Sequence, residues 1–147
     1  MVFSIALRIT GDWGAAEEAA QDVFLALYRS LDGLTSEEHV LFWLRKAVVH
    51  RATDYRRRFA RMPEMRGEAV NDLPGNPNDG DPLQTRHLQQ LVACLPENLR
   101  AAIVLRYQEE MMPEEIAQTL EMPVATVKSN LQRGLDLLRR KAEKVLR

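Results

Sequence analysis

Apolar residues recur three and four positions apart along much of the chain, and this spacing predicts helices with one buried face each. A short segment over residues 2–9 is interrupted by Thr10-Gly11-Asp12, and a longer helix is predicted over about residues 15–31. A third helix, about residues 37–59, begins after the capping residue Ser36 and turns from apolar to basic along its length. The predicted buried positions of the second and third helices are Ala16, Ala19, Ala20, Val23, Phe24, Leu27, Leu31, Val40, Leu41, Trp43, Leu44, Ala47 and Val48.

The periodic pattern stops over residues 62–81, which are rich in proline, glycine, asparagine and aspartate and are typical of a flexible linker. Helical spacing returns near Pro82, and a further helix restarts after Pro96 and runs to about Tyr107. The predicted fold class is therefore all-α, with one helical module over residues 1–61 and a second over residues 82–147.

Two short helical patterns separated by a break of about three residues lie between Met112 and Gly134. Pro113 suits the first turn of a helix, whereas Pro123 cannot continue one. This is the spacing of a helix-turn-helix. The positions predicted to be exposed on its second helix are Lys128, Ser129, Asn130, Gln132 and Arg133. Such side chains read base edges or grip phosphates, but any helical hairpin in a bundle has similar spacing, so spacing alone leaves DNA binding and simple packing open.

The charge distribution favours a polyanionic partner, although the net charge is only −1. Seven basic residues lie between Arg45 and Arg61 against a single acidic one, and seven more lie between Val124 and Arg147 against two. The stretch between Pro63 and Asp81 is acidic, so two basic clusters flank an acidic middle. The arginines that end the third helix stand next to aromatic residues and suit an unpaired nucleic acid strand, or they form a solvated helix end.

Several functional classes find no support in the sequence. No apolar run reaches the ~18 residues of a membrane span, and the first residues are too soon interrupted by charge to form a signal peptide. The single cysteine, Cys94, excludes an intramolecular disulfide, fits a reducing cytoplasm and is predicted to be a small core residue. The three histidines show no zinc spacing, and no phosphate loop or nucleophile motif appears. We therefore predict a cytoplasmic protein that is not an enzyme and has no metal or cofactor.

With these modules and motifs the chain resembles the sigma-70 family of bacterial RNA polymerase initiation factors, in its small extracytoplasmic-function (ECF) subgroup. The stretch LPENLRAAIVLRYQEEMMPEEIAQTLEMPVATVKSNLQRGLDLLR resembles the family's promoter −35 domain. GDWGAAEEAAQDVFLALYRSL followed by FWLRKAVVHRATDYRRR resembles its −10 and core-binding domain. The resemblance implies a two-module sigma factor that binds core polymerase, the −35 element and the melted −10 element.

The resemblance also assigns candidate residues. Those implied to dock on the clamp helices of the largest polymerase subunit are Glu18, Gln21, Asp22 and Phe24. Those implied to hold the melted −10 strand are Trp43, His50, Asp54, Arg56, Arg57 and Arg58, with the loop over residues 34–39 receiving a flipped base. Those implied to face the −35 element are Lys128, Ser129, Gln132 and Arg133. An anti-sigma partner is also implied.

The sequence departs from the family pattern at a few positions. His50 stands where the family usually has asparagine, and Met112 where it has a serine or threonine cap. Glu121 replaces the glycine of the turn, which predicts strain if that residue needs a positive φ. The first helix is expected to be shorter than the family's. The alternative is a sigma-like DNA-binding regulator that acts without polymerase. The acidic face around Gln21 and Asp22 discriminates between the two functions, since only a polymerase-docking protein needs it.

Overall fold

The computed structural model describes residues 1–61 and 82–146, and the chain divides into two compact units, Met1–Gly67 and Glu68–Arg147. Every regular element of the described residues is a helix, which confirms the all-α prediction. The predicted linker, residues 62–81, lies outside the described part of the chain.

The described residues of the first unit form three helices and a short 3-10 turn. The elements are α1 (Val2–Thr10), α2 (Trp13–Ser30), the 3-10 turn (Leu31–Gly33) and α3 (Glu37–Arg61). Each helix packs on the other two, and Ile5, Ile9, Val23 and Val48 are fully enclosed between them. Burial of these branched side chains supplies the main stabilisation of the unit.

The predicted ends of these helices are confirmed by their capping contacts. Gly11 ends α1 in the left-handed conformation with φ 68°, which glycine adopts without strain. The side chain of Asp12 accepts a 2.8 Å hydrogen bond from the Ala15 N–H at the start of α2. The Ser36 hydroxyl oxygen accepts one of 3.1 Å from the His39 N–H at the start of α3. Local capping interactions thus determine where the helices of the first unit begin and end.

The outer part of α2 differs from the prediction. Phe24 is 53% exposed and Leu31 50%, and on α3 Leu41 is also exposed. The physical reason is that alanines make most of the buried face of α2 and let α1 and α3 approach closely. The longer side chains further round α2 therefore lie beyond the reach of the other two helices.

The second unit is built around one central helix. Its elements are α4 (Pro82–Ala93), α5 (Glu97–Tyr107), α6 (Pro113–Leu120) and α7 (Val124–Leu146). Helix α5 contacts the other three and is buried at every position from Leu99 to Leu105. Even Arg100 is buried, and its guanidinium donates to the Leu95 carbonyl at the α4–α5 turn. A buried charge is tolerable there because the turn presents a hydrogen-bond acceptor.

The prediction that Cys94 is a core residue is wrong. Cys94 is exposed in the turn between α4 and α5, and the adjacent Leu95 takes the buried position with 1% of its surface exposed. The Lys141 ammonium group on α7 donates a 3.4 Å hydrogen bond to the Cys94 carbonyl oxygen. A turn points neighbouring side chains in different directions, so helical spacing cannot be extended through it.

Two non-glycine residues of the second unit have left-handed backbone conformations. Glu121 ends α6 with φ 55°, as its place in the helix-turn-helix predicts, and Glu110 in the α5–α6 loop also has φ 55°. For an L-residue this conformation costs about 1 kcal/mol. The side chain of Glu110 is exposed, so its removal isolates the backbone effect.

We expect Glu110→Gly to raise the free energy of unfolding of the second unit by about 1 kcal/mol. Both tryptophans, Trp13 and Trp43, lie in the first unit, so circular dichroism combined with tryptophan fluorescence distinguishes the two units. Glu114→Gly in the first turn of α6 is the matched control and should be neutral or destabilising. Equal effects of the two substitutions would contradict the assignment of strain to Glu110.

Candidate nucleic-acid interface

The first turns of α7 have one buried and one exposed face. Val127, Asn130, Leu131 and Gly134 are buried, at the i, i+3, i+4 and i+7 positions of a helical stripe. The residues between them are exposed and share the opposite face: Lys128, Ser129, Gln132 and Arg133. The structure therefore brings together all four residues that the resemblance assigns to the −35 element.

Asn130 is not among the exposed residues, and the prediction that it is exposed is wrong. It lies three residues after Val127 and four before Gly134, on the inner stripe, and only 4% of its surface is accessible. Its side-chain nitrogen donates to the Met122 sulfur at 3.9 Å. Met122 lies in the turn between α6 and α7, so Asn130 connects the second helix to that turn.

Buried contacts fix the position of α6 and of the turn that joins it to α7. Ile116 is fully enclosed, and the Thr119 hydroxyl donates a 2.9 Å hydrogen bond to the Glu115 carbonyl one turn earlier. The Met122 N–H donates to the Ala117 carbonyl at 3.1 Å and closes the end of α6. Met112 precedes α6 without a side-chain cap, as predicted from its type. Packing rather than capping therefore orients the exposed face of α7.

The basic half of α3 also has a defined exposed face. With about 100° between successive residues, Trp43, His50, Asp54 and Arg57 fall near one line along the helix, with Arg58 at its edge. All are exposed except Trp43, which is half-buried. An Arg57 guanidinium nitrogen lies 3.9 Å from an Asp54 carboxylate oxygen, and more than half of each side chain is exposed. A pair so exposed adds little stability, so its charges stay available to a ligand.

Arg56 lies on the other side of α3 and contacts the fold. One of its guanidinium nitrogens donates to the Ile9 carbonyl at 3.0 Å and to the Thr10 carbonyl at 3.1 Å. These carbonyls lie at the end of α1, where a helix leaves acceptors without a partner inside the helix. Of the three consecutive arginines, Arg56 therefore anchors α3 to α1, while Arg57 and Arg58 face outward.

The candidate docking residues lie along α2. Glu18 and Gln21 are exposed, Asp22 is half-buried, and Phe24 is exposed together with Tyr28 one turn later. This arrangement places polar and apolar groups on one accessible part of the helix. It suits a protein partner more than a nucleic acid, because the charged groups are acidic.

Asp22 has a partner that sequence reasoning did not identify. The Tyr55 hydroxyl on α3 donates a 2.7 Å hydrogen bond to an Asp22 carboxylate oxygen, and the Arg58 guanidinium lies 5.3 Å from the centre of the Tyr55 ring. The hydrogen bond to Asp22, aided by burial, raises the pKa of Tyr55 to about 12. The sequence shows a tyrosine among arginines but gives no sign of a partner 33 positions away.

The described residues contain no group of three or more metal-ligating side chains arranged to hold an ion. Nor does any helix among them combine the length and apolar character needed to cross a bilayer.

Comparison with known proteins finds a family model for each helical unit. The family model described as Sigma-70 region 2 matches residues 1–62, and the one described as Sigma-70, region 4 matches residues 85–138. The ECF RNA polymerase sigma-E factor of Escherichia coli K12 is 29% identical over an alignment of 147 residues, covering 91% of this chain and 77% of that protein. The ECF RNA polymerase sigma factor SigW of Bacillus subtilis is 27% identical over 155 residues, covering 95% and 81%.

A solved structure shares the fold. The sigma factor RpoE of Bartonella quintana, in complex with the anti-sigma factor NepR, superposes with a TM-score of 0.76 at 17% identity, covering 97% of this chain and 89% of that one. At this identity the likeness shows the fold alone. The two family models together span most of the chain, in the order that the sequence motifs indicated. The chain belongs to the sigma-70 family of RNA polymerase sigma factors, in its ECF subgroup.

Proposed function

We propose that this ECF sigma factor divides promoter recognition between its two modules, with residues 82–147 reading the −35 element and residues 1–61 binding core polymerase and the melted −10 strand. Residues 62–81 link them, and the polymerase performs the chemistry in the cytoplasm. The observation that carries the proposal is the exposed face of α7, where four long or hydrogen-bonding side chains lie directly opposite the buried stripe.

The −35 assignment is supported by the dimensions of α7. The exposed face from Lys128 to Arg133 spans about 7.5 Å along the helix axis, at ~1.5 Å per residue. A helix of this kind fits a major groove about 12 Å wide, and arginine recognises guanine there through two parallel hydrogen bonds. Lysine supplies a charge contact to phosphate, which sets position rather than sequence. We therefore assign base reading chiefly to Gln132 and Arg133.

The −10 assignment is supported by the line of residues on α3. Trp43 offers an aromatic surface for stacking, and His50 and Asp54 offer hydrogen-bonding groups to an unpaired base. Arg57 and Arg58 provide the positive charge that holds a strand's phosphates. Arg56 adds to the positive potential, and its bonds to the end of α1 keep this face in position.

Protein partners are proposed for the face of α2. Glu18, Gln21, Asp22 and Phe24 combine acidic groups with an exposed aromatic ring, which suits the clamp helices of the largest polymerase subunit. We also propose an anti-sigma partner, by analogy with the Bartonella quintana sigma factor, which was solved bound to one. Under the alternative, a regulator that acts without polymerase, this face has no role.

A transcription assay with purified protein, bacterial core polymerase and a library of promoter fragments tests the proposal. We expect transcripts to start downstream of a shared pair of −35 and −10 sequences. Binding to DNA without any dependence of transcription on the added protein would instead favour the regulator. The same library, sequenced after initiation, also provides the promoter preference against which variants are compared.

A further inference from the structure

A hydrogen bond joins the proposed docking face of α2 to α3. Asp22 belongs to the proposed docking face of α2, and Tyr55 lies on α3 between Asp54 and Arg56. The Tyr55 hydroxyl donates to an Asp22 carboxylate oxygen at 2.7 Å, and both side chains are half-buried. Tyr55 belongs to neither proposed binding face, although its hydroxyl contacts the carboxylate of Asp22.

We propose that Tyr55 is a positioning residue for polymerase docking, which orients the carboxylate of Asp22 before core polymerase arrives. The inference rests on the docking role proposed for Asp22. Its basis is the contact between the tyrosine hydroxyl and one carboxylate oxygen, together with the half-buried position of the pair. Tyr55 itself need not touch the polymerase.

A tyrosine suits this task because of its charge state. A lysine or arginine at this position would orient the carboxylate but would also neutralise it. The tyrosine hydroxyl donates while remaining uncharged, so Asp22 keeps its negative charge for a basic partner. An ionised carboxylate accepts several hydrogen bonds, so the second oxygen can still receive a donor from the partner. Orientation before binding reduces the side-chain entropy that docking must remove.

The surroundings of Tyr55 hold its ring in this position. The Arg58 guanidinium lies 5.3 Å from the ring centre, a cation–π distance. The charged groups that act on the hydroxyl are Asp22 and Glu18 from α2 and Arg58 from α3. Because the pKa of Tyr55 is raised above that of the unfolded chain, the stabilisation is complete below pH 10 and is lost as pH rises from 10 to about 12. The hydroxyl therefore remains a donor throughout the physiological range.

The experiment compares the affinity of full-length variants for core polymerase by competition against a labelled wild-type chain. Tyr55→Phe removes only the hydroxyl and keeps the charge of Asp22. Asp22→Asn removes the charge but keeps an oxygen that can accept from Tyr55. Tyr107→Phe removes a hydroxyl from an exposed tyrosine of the second unit and is the matched control. Tryptophan fluorescence confirms that the first unit of each variant is folded at the assay temperature.

We expect Tyr55→Phe to weaken core binding about fivefold, Tyr107→Phe to leave it unchanged, and Asp22→Asn to weaken it more than Tyr55→Phe. In the Asp22→Asn background, Tyr55→Phe should add less than twofold, because the two residues act through one carboxylate. Wild-type core affinity of Tyr55→Phe, or additive effects in the double variant, would overturn the positioning role while leaving the docking role intact. Wild-type affinity of Asp22→Asn would overturn both.

Discussion

Replacement of Gly134 by valine is expected to destabilise the second unit strongly while the first unit keeps its stability. A Cβ at position 134 would lie 2.8 Å from Ile103 Cγ1 and 2.9 Å from Ile103 Cδ1, closer than non-bonded carbon atoms approach. Ile103 is 3% exposed on the central helix α5, so it has no open space to enter. Overpacking of a buried helix contact by a branched side chain costs about 3 kcal/mol. That is a large part of the stability of a small domain.

The two tryptophans make this prediction measurable in the whole protein. We expect Gly134→Val to lower the circular dichroism transition of the second unit and to leave the tryptophan fluorescence transition of the first unchanged. Binding to isolated −35 DNA should be weakened as well, because α7 packs less closely on α5. Adding Ile103→Ala removes the side-chain atoms that clash and should restore part of the stability.

A control at another glycine separates the clash from a general effect of valine. A Cβ on Gly33 in the first unit would meet no atom within 4 Å, so Gly33→Val should leave both transitions within about 0.5 kcal/mol of wild type. A Gly134→Val protein with an unchanged second-unit transition would show that α5 and α7 adjust without cost. The close approach would then not be a requirement of the fold.

Replacement of Arg133 by alanine is expected to cost about 1–3 kcal/mol of binding at one base pair of the −35 element and to relax the preference there. Arg133 is exposed on the proposed reading face of α7, so truncation removes the proposed base contact without opening the core. The stability of the second unit should therefore stay within about 0.5 kcal/mol of wild type. Selection of −35 sequences from a randomised duplex, carried out at one fixed salt concentration, measures the preference base by base.

Arg139→Ala is the matched control for charge. Arg139 is exposed on the same helix, but it lies six positions further along α7, beyond the proposed reading turns. Its truncation should weaken binding by a similar factor for all sequences and lessen the dependence on salt. If Arg133→Ala behaves in the same way, Arg133 contacts only phosphate and the proposed base contact is wrong.

Much of the fold could be predicted because the residues that begin and end its helices act locally. Gly11, Asp12 and Ser36 end or begin helices through their own backbone conformation or side-chain oxygen, and Pro113 and Pro123 mark α6 and the turn that follows. These effects act within one helical turn, so they are visible in the order of the residues. The exposed positions Lys128, Ser129, Gln132 and Arg133 could also be predicted, because one helical stripe determines the face opposite to it, although the same spacing wrongly included Asn130, which is buried.

The tertiary structure shows which faces are covered and by which helices. Helix α5 is buried from Leu99 to Leu105 because three helices surround it, whereas Phe24 is exposed because, among the described residues of the first unit, two helices pack on α2. The contact of Gly134 with Ile103 and that of Tyr55 with Asp22 each join residues on different helices. The helices, most of their ends and most of the exposed face of α7 could be predicted from the sequence, since these depend on neighbours in the chain. The burial and the pairings that orient the proposed binding residues depend on neighbours in space.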